Sequence, residues 1–135
     1  MLALAALALW LVTAVLGAAE LLAWRSSSSR PPPLAYRHAT TALTGLALWT
    51  GFVVTDRELL AWVAFAVLAL ANGLGDLLTT AGWRARNSGG TASRTRDTRS
   101  AVGEVLRFRR SLRVTAHALL AGVTFFSVLA AAIMA

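Results

Sequence analysis

The sequence has no cysteine, no lysine, three prolines and two histidines in 135 residues. Without cysteine there is no disulfide framework, no thiolate metal site and no cysteine nucleophile. The prolines fall together as Pro31–Pro33, after a serine run, where they cannot continue a helix and favour extended backbone. Charge is also scarce. Only 14% of residues are charged, whereas a soluble domain carries roughly a quarter. Hydrophobic residues make up 57% and the mean hydropathy is +0.64. That leaves too little polar surface to cover a water-soluble globule, which argues against both a soluble enzyme and a disordered chain. The class that remains is a small integral membrane protein.

All 13 basic residues are arginine, against six acids: Glu20, Asp56, Glu58, Asp76, Asp97 and Glu104. In a soluble domain a pI near 11.8 would point to nucleic acid. In an apolar chain, arginines gathered in short loops instead set topology. A spanning helix needs about 20 mostly apolar residues. Four such runs are present, at about 1–24, 35–54, 59–83 and 114–135, the second being the shortest. The expected fold is all-α: an antiparallel four-helix transmembrane bundle with one long cytoplasmic loop, the whole chain 1–135 forming one domain. Met1–Trp24 lacks a positive n-region and is long, so it reads as a retained helix rather than a cleaved signal.

The connections have distinct characters. Thr55–Glu58 is a four-residue turn that makes spans two and three a hairpin. Residues 84–100 are rich in Gly, Ser, Thr and Arg and read as a disordered basic loop. Residues 101–112 place Ala101, Val102, Val105, Leu106 and Phe108 near one helical face, which suits a short helix on the membrane surface; the alternative is an early start of span four. Twelve arginines then lie on one side, with Arg57 alone opposite. Positive loops stay in the cytoplasm, so both termini are expected outside a cell membrane. Trp24, Tyr36 and Trp83 would mark the cytoplasmic interface, with Trp49 and Trp62 nearer the outer one. The expected partners are the bilayer, anionic headgroups at the arginine-rich loop, and further copies or a larger membrane complex. The loop lacks interleaved aromatics, and lipid attraction explains its charge without nucleic acid.

In lipid, helices associate through close packing, so small residues four apart mark contact faces. Span two offers Thr41/Gly45 and Ala47/Gly51, span three Ala69/Gly73 and Ala71/Gly75, and span four Ala118/Gly122.

Each span also carries one ionisable group: Glu20, His38, Asp76 and His117. At about 1.5 Å per residue from the nearest interface marker, their depths run from about 3 to 10 Å, with Asp76 deepest. Such groups are costly in a bilayer and should face the bundle, a cavity or the headgroups. Three functional readings follow. Glu20, His38, Asp76 and His117 form a candidate set of ligands for a transition metal, although their spread in depth counts against one ion. His38 and His117 form a candidate axial pair for haem b, with cytoplasmic arginines near its carboxylates. Asn72 and Asp76, four apart on one face, form a candidate proton or ion path, to be completed by oligomerisation. The competing structural reading has both histidines at helix starts, Glu20 reaching an arginine or water, and Asp76 hydrogen-bonding across the bundle.

Gly73-Leu74-Gly75 lies within a span and cannot be a phosphate loop, and Ser26–Ser29 has no histidine base nearby in sequence. With no catalytic motif and no extramembrane domain, the expectation is a non-enzymatic accessory or cofactor-binding membrane subunit.

Overall fold

The computed structural model describes residues 1–26, 31–87, 89 and 91–135. Its helices are α1 (Leu2–Ser26), α2 (Pro33–Thr55), α3 (Glu58–Arg86), α4 (Arg94–Leu106) and α5 (Leu112–Ile133). The protein is an all-α bundle of long apolar helices, but with five helices among the described residues rather than four. The fifth, α4, lies in the segment whose composition suggested a loop. The expected disordered stretch 84–100 and short helix 101–112 give way to a longer α3 and an earlier α4. Ser27–Ser29 of the serine run and Arg30, and also Ser88 and Gly90, lie outside the described residues.

Local signals account for the boundaries. Pro33 opens α2, where its missing N–H costs nothing and its fixed φ suits a helix. Asp56 ends α2 in the left-handed region, φ 54°, with its N–H on the Phe52 carbonyl, and α3 begins two residues later. Ser93 caps α4 by accepting from the Arg96 N–H, and Ser111 caps α5 by accepting from the Val114 N–H. On α4, Asp97, Ala101 and Val105 recur every four residues and form its buried stripe.

Tertiary contacts fix the arrangement. α2 packs most extensively on α3, and α1 on α5. Contacts between α1 and α5 run Thr13–Thr124, Thr13–His117 and Glu20–Arg113, so the two helices are antiparallel. α1 also meets α2 antiparallel: the Trp10 indole fills the space at Gly45, and the Trp49 Nε1 donates to the Ala3 carbonyl at 3.2 Å. A Cβ at Gly45 would lie 2.9 Å from that indole. Trp49 is fully buried in the core with Trp10, Phe52, Leu68 and Val128. It is therefore a core residue and not the interface marker expected from its position near a span end.

Close packing selects among the glycines. A Cβ at Gly45, Gly51 or Gly75 would meet neighbouring side chains, whereas one at Gly73 or Gly122 would meet no neighbouring helix within 4 Å among the described residues. The pairs containing Gly73 and Gly122 are not tight contact points in this bundle.

Among the described residues, α1, α3 and α5 are long and apolar enough to cross a membrane. α2 is of similar length but carries five threonines and is not one of them. Four of those hydroxyls, on Thr40, Thr44, Thr50 and Thr55, donate to the carbonyl four residues earlier. Bonded this way, they present mainly methyl groups outward.

Candidate functional site

His38 is the sixth residue of α2 and His117 the sixth of α5. The bundle brings them together, with ring centroids 6.0 Å apart and planes at 89°. Both rings are held in the same way. His38 Nδ1 donates to the Ala71 carbonyl of α3 at 2.9 Å, and His117 Nδ1 donates to the Thr13 carbonyl of α1 at 2.9 Å. A helical carbonyl has a second lone pair, so it can accept from the ring while keeping its own helix bond.

Access to those carbonyls depends on glycine. Thr13 and Ala71 each precede a glycine by four residues, Gly17 and Gly75. In a helix the side chain at i+4 leans back over residue i, so any side chain at these positions would crowd the incoming ring. A Cβ at Gly17 would lie 2.9 Å from His117 Cε1, and one at Gly75 would lie 3.2 Å from His38 Cε1. The two helix pairs, α5 on α1 and α2 on α3, thus repeat one device: a histidine on one helix, and on its partner a carbonyl followed four residues later by glycine.

Committing Nδ1–H to a carbonyl leaves each Nε2 with its lone pair free when the ring is neutral. Among the described residues neither Nε2 has a hydrogen-bond partner. Both rings line a cavity of about 40 Å³, together with Thr13, Asn72 and Thr124. It has room for about two or three waters. Thr13 Oγ1 donates to the Leu9 carbonyl at 2.8 Å, so the Thr124 hydroxyl donates across the 3.1 Å contact to Thr13.

One turn nearer α4, Glu20 pairs with Arg113 across α1 and α5 at 3.2 Å. Arg113 is also one turn before His117, and Arg37 directly precedes His38. Asp76 does not join the site. It is exposed on α3, and the Thr80 hydroxyl bonds only its backbone carbonyl. Of the four proposed metal ligands, only the two histidines meet, and no group of three or more His, Cys, Asp or Glu gathers among the described residues. Of the proposed path, Asn72 lines the cavity while Asp76 lies off it.

A second polar cluster joins α3 to α4, and sequence reasoning missed it. Asp97 is fully buried. It accepts from the Thr91 N–H at 2.9 Å and the Thr91 hydroxyl at 2.7 Å, and it pairs with Arg84 Nε at 3.1 Å. Burial pushes its carboxyl upward, but the Thr91 bonds and the charges of Arg84 and Arg96 outweigh this and hold it below the usual carboxylate range. Arg86 adds a 2.8 Å ion pair to Glu104, and Thr80 donates to Thr98 at 3.1 Å. The available signal was an acid in the first turn of a serine-capped helix. Gly17 and Gly75 had only the four-residue spacing to mark them.

No family model, curated protein or solved structure matches this chain. The architecture is that of a small all-α protein whose apolar helices are consistent with membrane association.

Proposed function

We propose that this protein is an accessory membrane subunit that holds a transition-metal centre between His38 and His117. One observation carries the reading: two imidazoles from separate helix pairs lie 6.0 Å apart, each with Nδ1 bonded to a backbone carbonyl. Metal-binding histidines are oriented in this way, because the outer hydrogen bond fixes the tautomer and raises the basicity of the liganding nitrogen. A pair kept only for packing has no need of two matching glycine-carbonyl seats.

The membrane setting in this reading is a four-span bundle, with α2 as the fourth span and α4 on the cytoplasmic surface. Three helices of sufficient length and apolarity support it, as does the back-bonding of the α2 threonines. Val102, Leu106 and Phe108 are exposed beside Arg99, Arg107 and Arg109, the composition of a helix lying among anionic headgroups.

The test is metal analysis of the detergent-purified protein by mass spectrometry. The wild type is expected to carry a stoichiometric transition metal that His38→Ala and His117→Ala both lose. Metal-free wild type, or metal retained in both variants, would overturn the proposal.

The exposure of Asp76 favours a second reading, in which copies of the chain pack around that face of α3 to form an ion path. A single cysteine at Gly73, which is exposed three residues away, would form an intermolecular crosslink in that case and none in a solitary bundle.

A further inference from the structure

The corner where α4 turns into α5 holds a conformation that ordinarily selects glycine. The Arg109 N–H donates to the Glu104 carbonyl at 2.8 Å, and the Phe108 N–H to the Val105 carbonyl at 3.0 Å. This paired ending of a helix needs a left-handed residue, and Phe108 supplies it at φ 54°. Glycine adopts that conformation freely, whereas a residue with a Cβ is strained in it. Asp56, the other left-handed non-glycine among the described residues, is of a type that tolerates it. Phenylalanine is not. Strain of this kind persists where something offsets it. Packing within the chain does not, because Phe108 is 65% exposed. Leu106 on one side and Leu112 on the other are also exposed.

Two residues beyond Phe108 is an arginine without a carboxylate. Arg86 pairs with Glu104 at 2.8 Å and Arg113 with Glu20 at 3.2 Å. Arg110 is half-buried beside both pairs but forms no ion pair among the described residues. Burial and the charge of Arg86 push its guanidinium below the ordinary value, against the opposing pull of Glu104 and Glu20. Three guanidiniums thus meet two carboxylates, and one positive charge is left over.

Resting on the membrane setting proposed above and not on the metal centre, we propose that this corner binds one anionic phospholipid, with Arg110 on its phosphate and Phe108 among its acyl chains. A phosphodiester carries the single negative charge that is missing, and a guanidinium can grip two of its oxygens. A choline headgroup adds a cation, which the exposed Arg107 and Arg109 repel. Free phosphate would satisfy the charge but leave Leu106, Phe108 and Leu112 in water. A lipid satisfies both at one place, at the depth where an interfacial helix buries its apolar side chains.

The test follows thermal unfolding of the full chain in detergent with added phosphatidylglycerol, phosphatidylcholine or inorganic phosphate. A ligand that binds only the folded chain raises the midpoint. Phosphatidylglycerol is expected to raise it by several degrees, and the other two by much less. Arg110→Gln should lose most of that shift, Arg110→Lys should keep part of it, and Arg57→Gln, at the opposite end of α3, should keep it all. Phe108→Gly should melt higher than the wild type without lipid, because the strain is relieved, and gain less from phosphatidylglycerol. Equal shifts from the choline lipid or from phosphate, or a full shift in Arg110→Gln, would overturn the site. A Phe108→Gly chain that melts lower in detergent would make the ring a packing residue and overturn its role. Loss of a dimer in Phe108→Gly with the lipid shift intact would assign the corner to a second copy instead. The membrane setting is read separately, from wild type reconstituted in phosphatidylcholine vesicles and washed with alkaline carbonate. A chain that stays in the vesicles but shows no preference for phosphatidylglycerol would overturn the lipid site alone, whereas a chain that washes off would overturn both.

Discussion

The histidine seats give the sharpest predictions at the scale of single residues. Gly17→Ala puts a methyl group 2.9 Å from His117 Cε1, so the ring must shift and strain its bond to Thr13. A loss of about 1–3 kcal/mol is expected, from a weakened buried hydrogen bond plus overpacking. Gly75→Ala, with 3.2 Å to His38, should cost less. Gly122→Ala, with no such contact within 4 Å, should instead stabilise its helix by about 0.5–1 kcal/mol. Thermal unfolding in detergent would rank the three, and a Gly17→Ala protein as stable as the wild type would remove the steric argument. The similar depth of the two histidines was legible in sequence. Their seats were not, because a backbone carbonyl has no residue identity, and in an alanine-rich chain Gly75 looks the same as Gly73 or Gly122. Asp76 was misjudged by rotation: four residues advance a helix slightly more than one turn, a drift of about 40° from Asn72. That drift helps place Asn72 on the cavity and Asp76 outside it.

At the scale of the element, α4 is the helix that composition hid. Its first turn is secured by the Ser93 cap and by Asp97, buried against Thr91 and Arg84. Ser93→Ala should lower the stability of α4 by about 1 kcal/mol. Because the folded-state pKa of Asp97 is depressed, its contribution is complete at neutral pH, above the unfolded-state value of about 3.9. The contribution is lost as pH falls through the folded-state value. Hydrogen exchange of the α4 amides should accordingly lose protection in acid, beyond the intrinsic pH dependence of exchange. Asp97→Asn should show weaker protection at pH 7 and little further change in acid. Full protection in that variant would show that other contacts hold α4 in place.

At the scale of the whole molecule, the arginine distribution predicts that α4 and the C-terminus lie on opposite sides of the membrane. The absence of native cysteine makes the test direct. Single cysteines at Thr95, which is exposed on α4, and at Ala135 should react with a membrane-impermeant reagent from opposite faces of sealed vesicles. Reaction of both from the same face would break the four-span topology.

The apolar runs, the hairpin turn and the sparse charge were enough to indicate an all-α bundle of long apolar helices, because burial and backbone satisfaction act over whole segments and are legible from composition. Tertiary structure decided what depends on the rotation and pairing of helices: Trp49 in the core, Asp76 on the outside, α4 latched to α3 by a buried carboxylate, and two distant histidines facing one another. Those outcomes turn on steric fits of a few tenths of an ångström at glycines and on hydrogen bonds to backbone atoms. Neither leaves a distinctive mark in a sequence so rich in alanine and leucine.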